Sequence, residues 1–339
     1  MKRLKMILYS LLLTAIVSFP IFAAEAIDLD REVNLTLNYQ DKERALSGAK
    51  FSLYQIAQAD AFGTLTVTEA FESFSVDIDG KQEEDWGKLA LTLESYVLRD
   101  KLTPLDEGKT DDTGMLYFPT TEEKLSPGLY LVLGTRYKKY SNIYDTAPFL
   151  VMLPEQDLEK NEWVYGITAS PKYTVDRDSG GSGSSGGSDK PSTPGKPDGA
   201  KPDDITCRVV KVWDDAEVED YRPEEIWVEL LENGELYDTV ALSEENNWRY
   251  EWNELSNESR WTVAEEELEN YRMSLEQNGN TFVMTNTPTQ EFLAYAVPLS
   301  HRLAGLPQTG LLWWPIPVFL LIGVTLIMLG LIRRRGEQR

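Results

Sequence analysis

The alternation of apolar and polar positions predicts two β-rich regions. In the first, Val33-Asn34-Leu35-Thr36-Leu37 alternates strictly, and Phe51-Ser52-Leu53-Tyr54 resumes the pattern after a turn at Ser47-Gly48. Gly128 to Val132 and Pro148 to Pro154 are short apolar runs bounded by Gly or Pro, the form of a strand with both faces covered. One stretch follows the helical period instead: Trp86 to Leu98 carries Leu89, Leu91, Leu93, Tyr96 and Val97. The second region offers strands at Cys207 to Trp213, Ile226 to Leu231, Trp261 to Val263 and Thr281 to Met284, and Asn233-Gly234 marks a hairpin. Many short strands with turn signals and no alternating strand–helix rhythm predict an all-β chain of two β-sandwich domains.

Between the two regions, Ser179 to Ser188 reads SGGSGSSGGS, the composition of a flexible coil. Asp189 to Asp204 follows with four prolines that stiffen it. This segment is expected to be a spacer. The division that results is 1–26 leader, 27–175 first domain, 176–204 linker, 205–290 second domain, 291–305 stalk, 306–310 a short motif, 311–332 an apolar helix and 333–339 a basic tail.

Both ends read as addresses. Lys2, Arg3 and Lys5 precede an apolar run from Met6 to Phe22, and small residues then offer cleavage after Ala24 or after Ala26, the pattern of a secretory signal peptide. At the other end, Leu306-Pro307-Gln308-Thr309-Gly310 precedes 22 apolar residues from Leu311 to Ile332. As a helix these span about 33 Å, enough to cross a bilayer. Arg333, Arg334, Arg335 and Arg339 then favour the cytoplasmic side. This order of motif, span and basic tail resembles the sortase sorting signal of Gram-positive surface proteins. The resemblance implies that a sortase cysteine attacks the Thr309 carbonyl and releases Gly310 onward, after which an amine of the peptidoglycan precursor captures Thr309. The expected location is therefore secreted and cell-wall-anchored, with the chain spanning the membrane before processing.

Composition narrows the chemistry. The 339 residues carry a formal net charge of −23, which disfavours nucleic-acid binding because that needs a cationic face. One histidine, His301, cannot build a multi-histidine metal site, and one cysteine, Cys207, cannot form an intramolecular disulfide. Neither domain has a histidine or a G-x-S-x-G nucleophile elbow, so the expectation is a non-enzymatic chain with no cofactor and no metal. A carboxylate-pair hydrolase is left formally open by the many acidic residues. Asp77-Ile78-Asp79-Gly80 opens like a calcium loop but lacks the glutamate at the required spacing, and Asp111-Asp112-Thr113-Gly114 reads the same way, so both are expected to be solvated acidic turns. Cys207 is expected just before the first strand of its domain as a buried or edge residue, and His301 in the stalk, idle.

Residues 205–290 resemble a Cna B-type domain, a prealbumin-like sandwich of Gram-positive adhesins and pilins. The likeness is carried by VVKVWDD (Val209 to Asp215), RPEEIWVELLENGE (Arg222 to Glu235), ENNWRYEW (Glu245 to Trp252), WTVAEE (Trp261 to Glu266) and FVMTNT (Phe282 to Thr287). Members often carry an intramolecular isopeptide bond between a first-strand Lys and a last-strand Asn or Asp, assisted by an acid. The resemblance maps these roles onto Lys211, Asn286 and Glu265, with Glu266 a second candidate for the acid because the segment Glu265 to Tyr271 lacks the Pro-Gly often found there. The residue types suit the chemistry. Burial among Trp213, Trp261 and Phe282 would favour the neutral, nucleophilic amine at Lys211, and would keep Glu265 protonated to donate to the Asn286 carbonyl.

The first region resembles the N-terminal domain of sortase-assembled pilins, through LSGAKFSLY (Leu46 to Tyr54), GLYLV (Gly128 to Val132) and PFLVMLP (Pro148 to Pro154). Trp163 to Lys172 fits a relaxed pilin motif, with Trp163, Pro171 and Lys172 at the expected spacing and Ala169-Ser170 departing from it. The resemblance implies that Lys172 is the amine joined to the next subunit's sorting-signal threonine. Where relatives have a first-strand Lys this region has Tyr39, and Lys42 lies too near a turn to replace it, so no Lys–Asn bond is expected there. The function expected from the whole is a structural or adhesive wall-anchored protein whose partners are sortase and peptidoglycan. The alternatives are a pilus subunit linked through Lys172 to other pilin subunits, and an adhesin whose first domain grips a host or neighbour-cell surface protein.

Overall fold

The structure is a computed structural model that describes residues 26–74, 78, 83–157, 159–177 and 204–296. The leader, most of the Asp77–Gly80 turn, the linker, His301, the Leu306–Gly310 motif, the apolar run and the basic tail lie outside the described residues. The described part is mostly β, in two sandwich-like domains.

The first domain runs β1 (Asn34–Asn38), β2 (Gln40–Asp41), β3 (Arg44–Ala45), β4 (Lys50–Ala59), β5 (Leu65–Val67), α1 (Glu83–Arg99), β6 (Asp106–Lys109), β7 (Met115–Phe118) and β8 (Gly128–Gly134). It continues with β9 (Tyr137–Lys139), β10 (Asn142–Thr146), β11 (Phe149–Leu153), β12 (Glu155–Asp157), β13 (Glu162–Val164), β14 (Gly166–Ala169) and β15 (Tyr173–Arg177). One sheet has the order β14-β1-β7, with β1 and β14 parallel. A second has the order β11-β8-β4-β5, with β6 also on β4, and a third is β15-β10-β9. The run GLYLVLG of β8 is buried at every position, as its unbroken apolar pattern requires. Phe51, Leu53, Tyr130 and Val132 face the core shared with β1, while Ile56, Leu129, Leu131 and Leu133 face α1. Helix α1 extends the predicted Trp86–Leu98 by three residues at its start and one at its end.

The second domain runs β16 (Asp204–Trp213), β17 (Glu225–Glu232), β18 (Glu235–Ser243), β19 (Arg249–Ser256), β20 (Trp261–Glu265), β21 (Tyr271–Asn278), β22 (Thr281–Pro288) and α2 (Gln290–Ala296). Its sheets have the orders β19-β16-β22-β21 and β18-β17-β20. Their inner faces bury Val209, Ile226, Val228, Leu230, Val263, Phe282 and Met284. Asn233 and Gly234 both take positive φ, 52° and 85°, as a two-residue hairpin between β17 and β18 demands. The first and last strands, β16 and β22, pair in parallel with Lys211 opposite Met284 and Trp213 opposite Asn286. Cys207 lies inside β16 rather than before it, because the strand begins at Asp204; it is buried, and burial pushes its thiol up to about 11.

The two domains touch, although the linker composition predicts a spacer. Helix α1 is buried from Leu89 to Val97 except at Leu91, which is half-buried, because its second face meets β20 and β21. Leu91 joins the second domain's core and Met273 joins the first domain's. Thr92 Oγ1 accepts from the Leu275 N–H at 2.9 Å, an edge-strand donor that would otherwise be buried unpaired. Arg136 donates to the carbonyls of Ser259 and Asn257 at 2.6 and 2.7 Å. Arg260 reaches the other way and donates to Glu94 at 2.6 Å, Asp145 at 2.5 Å and the Thr146 carbonyl at 2.8 Å. Glu94 is buried, and desolvation pushes its carboxyl up despite the pull of Arg260.

Candidate functional site

Strand periodicity sets the site. On β16 the side chains of Cys207, Val209, Lys211 and Trp213 point inward, and on β22 those of Phe282, Met284 and Asn286 do. A lysine on this inward set is buried by its position in the pattern, and its side chain is fully enclosed. The parallel register brings Lys211 and Asn286 onto the same face of neighbouring strands. Glu265 ends β20 on the opposite sheet and points across the sandwich at both. Its Oε2 accepts from Lys211 Nζ at 2.5 Å, and its Oε1 accepts from Asn286 Nδ2 at 2.6 Å. Lys211, Glu265 and Asn286 are 5%, 2% and 1% exposed, so the group is shut off from bulk water.

The electrostatics follow from that enclosure. Desolvation lowers the Lys211 amine to about 8 against the opposing attraction of Glu265, so the neutral amine is accessible near neutral pH. The amine also sits 5.0 Å from the Trp213 ring centroid, over its electron-rich face. Below it, buried Asp215 accepts from Arg222 Nε at 2.9 Å and from the Tyr271 hydroxyl at 3.1 Å, with a further short contact from Arg222 Nη2. That arrangement packs Arg222 and Tyr271 around Trp213. Of the three aromatic residues expected around Lys211, Trp213 is in place and Phe282 lies one inward position from Met284. Trp261 does not join them: it starts β20, four residues before Glu265, and its Nε1 donates to the Ser256 carbonyl. Glu266, the second candidate acid, is exposed with its N–H on the Trp227 carbonyl, because successive strand residues face opposite ways.

The arrangement is suited to one reaction. Lys211 Nζ and Asn286 both contact one carboxyl group, and Asn286 Oδ1 has no hydrogen-bond partner. A proton moved from Lys211 to Glu265 leaves a neutral amine and a carboxylic acid. Turning the Asn286 amide over then places its oxygen, in place of its nitrogen, against that acid, where it gains the hydrogen bond it lacks.

The first domain holds different chemistry at the corresponding place. Tyr39 is buried just past β1, and its hydroxyl is 2.7 Å from Thr146 Oγ1. Burial pushes the phenol up to about 12, so it stays neutral. Lys42 takes a positive φ of 59° in the turn between β2 and β3. Lys172 is exposed between β14 and β15 and lines a cleft of about 810 Å³ between the domains, together with Arg136, Asp145, Cys207 and Arg260. The chain does not leave the domain at Lys172, since β15 follows and pairs with β10. Asp111 is an acidic turn: its Oδ1 accepts from the Thr113 N–H and hydroxyl and from the Met115 N–H. The residues that pattern reading missed are Arg222, Asp215, Arg99 and Arg260. Only Arg222 and Asp215 carried a signal, since each opens or closes a segment that resembles the B-type domain.

Residues 207–287 match the family profile of the Cna protein B-type domain. The chain is 34% identical over 84 residues to a collagen adhesin of Staphylococcus aureus; the match takes in 23% of this chain and 7% of that much longer protein. Among solved structures, a single B repeat unit of the collagen-binding surface protein of Staphylococcus aureus is 16% identical with a TM-score of 0.24, the match covering 76% of this chain and 98% of that one. The full-length major pilin SpaD of Corynebacterium diphtheriae is 16% identical with a TM-score of 0.30, covering 78% of this chain and 66% of that one.

Proposed function

We propose that this chain is a structural or adhesive surface protein of Gram-positive type, sorted to the cell wall through Leu306–Gly310, whose second domain is locked by a Lys211–Asn286 isopeptide bond. The observation that carries the lock is the enclosed Lys211–Glu265–Asn286 group joining the first and last strands. Neutral Lys211 Nζ attacks Asn286 Cγ while the Glu265 acid polarises Oδ1. The new C–N bond forms, the attacking nitrogen gives up one proton, the Cγ–Nδ2 bond breaks, and the Nδ2 amino group takes up that one proton and leaves as ammonia. Each chain reacts once, so the step is self-modification and not turnover. The match of residues 207–287 to the B-type family supports the same reading.

Intact-mass measurement tests the lock. The wild type is expected one ammonia lighter than its sequence and Lys211→Ala at full mass; a full-mass wild type overturns it. Anchoring is tested on cells: muramidase is expected to release the protein and detergent alone to leave it behind. Release by detergent alone overturns the wall-linked reading.

The exposed position of Lys172 favours one second reading, a pilus subunit joined through that amine. An SDS-resistant ladder lost in Lys172→Ala supports it, and a single wall-linked species rejects it.

A further inference from the structure

The acid end of the buried group is closed by the other domain. Helix α1 packs along β20, and Arg99 Nη1 donates to the backbone carbonyl of Glu265 at 2.5 Å, across the domain boundary. Arg99 is held for this by its own neighbours: its Nε and Nη2 donate to Asp100 at 2.7 and 2.9 Å, and its guanidinium lies 5.1 Å from the Tyr96 ring centroid. β20 is an edge strand, so the Glu265 carbonyl has no partner strand on that side. Tyr96 is buried, and burial followed by the negative charge of Glu265 pushes its phenol upward. Beside Glu265 lies a small void of about 50 Å³, lined by Ser73 and Tyr96 from the first domain and by Glu265, Glu266, Met273 and Asn286 among others from the second. A water takes about 30 Å³ in the liquid, so the void has room for one or two small molecules.

We infer that the first domain assists the crosslinking of the second: docked α1, through Arg99 and Tyr96, positions Glu265 and excludes bulk water, and the boundary void is the exit for the ammonia released from Asn286. The inference rests on the isopeptide reading proposed above. Arg99 and Tyr96 touch no reacting atom and are positioning residues. The charged and titratable groups around the Lys211–Glu265 pair are Lys211 itself, with Asp215 acting on it from within the sandwich, and Tyr96 and Arg99 from α1; Asp100 and Glu267 act in turn on Tyr96 and Arg99. Away from the site the boundary is held by Arg260 on Glu94 and Asp145 together with Arg136 on the Ser259 and Asn257 carbonyls, so docking can be weakened at Arg260 without touching the site.

The test follows bond formation over time in full-length chain made by cell-free synthesis with detergent present, reading the fraction that has lost ammonia by intact mass across pH 5–9. Wild type that never loses ammonia overturns the isopeptide reading itself. Given a wild type that reacts, Arg99→Ala is expected to slow the reaction at least tenfold and alter its pH profile, with Arg99→Lys recovering most of the rate. Arg260→Gln is expected to slow it comparably, and circular dichroism with the same melting behaviour of the second domain separates undocking from misfolding. Tyr96→Phe, which keeps the ring, supplies a folded variant should Arg99→Ala not fold, and is expected to slow the reaction severalfold. Wild-type rates in Arg260→Gln and Tyr96→Phe overturn the inference.

Discussion

The two domains close in the same way and are locked differently. Each pairs its first strand in parallel with one near its end, β1 with β14, the last strand but one, and β16 with β22, the last strand. Beside that seam the first domain places Tyr39, whose neutral hydroxyl meets Thr146 among the rings of Phe51 and Tyr173. The second places Lys211, whose amine meets Glu265 beside Asn286. Tyr39 fills volume and makes one hydrogen bond, which adds about 1 kcal/mol. The enclosed Lys211–Glu265 pair is a poor source of stability as it stands, because desolving two charges offsets most of their attraction. The comparison teaches that an ionisable pair in such a place makes sense as chemistry rather than as glue: its cost is recovered when it is consumed in a bond.

That contrast can be broken most sharply at Lys211. Lys211→Ala removes the crosslink and leaves Glu265 enclosed without its cation. Closing a loop of about 75 residues is worth about 4 kcal/mol in the chain-entropy view, before the unpaired carboxylate is considered. At about 4–8 °C per kcal/mol for a domain of this size, the second domain's melting midpoint should fall by roughly 20 °C or more in calorimetry, with the first domain's transition far less affected. A smaller effect is expected at the support beneath the lock. Arg222→Ala leaves buried Asp215 with only Tyr271, and should cost about 2–3 kcal/mol by thermal denaturation, the partial exposure of Arg222 reducing the full buried-pair value.

The pH dependence sharpens the comparison in rate. The reactive form keeps one proton shared between Lys211 and Glu265, with the amine neutral and the acid protonated. Above about 8, where the Lys211 amine loses its proton, that shared proton is gone. Bond formation in time-resolved intact mass should therefore fall by about tenfold per pH unit above that point. The smallest effect belongs to the first domain. Tyr39→Phe removes one buried hydrogen bond without emptying the space, and should lower that domain's stability by about 1–2 kcal/mol in denaturant titration, with no change in mass.

Much of the second domain was legible before the structure. Apolar alternation on Cys207 to Trp213 and Thr281 to Met284 places Lys211 inward, and the residues that resemble the B-type domain point to Asn286 and Glu265. The choice between Glu265 and Glu266 needed the strand's phase, which adjacent glutamates do not reveal. The aromatic surroundings were half legible: Trp213 shares the strand with Lys211, whereas Trp261 required knowing how far β20 carries it from the amine. Helix α1 was legible as a helix, but its second stripe was not. Leu91, Glu94, Ser95 and Leu98 recur at helical spacing on the face turned to the other domain, and because two of these four are polar the spacing does not mark the stripe as a packing surface. Glu94 is buried only because Arg260 comes from about 166 residues away to meet it, a pairing that no local pattern encodes. The linker composition likewise reports length and stiffness, and says nothing of where the tethered domain comes to rest.

The parallel pairing of β16 with β22 fixes how the second domain would carry tension. Chain enters at Asp204 and departs past Pro288 at opposite ends of the sandwich, so a pull along the polypeptide shears the two strands lengthwise. With Lys211 joined to Asn286, the load passes from the eighth residue of the entering strand straight into the departing one. Everything from Val212 to Thr285 hangs behind the join as an unloaded loop, and the domain would lengthen by only the few residues on either side before covalent bonds alone resist.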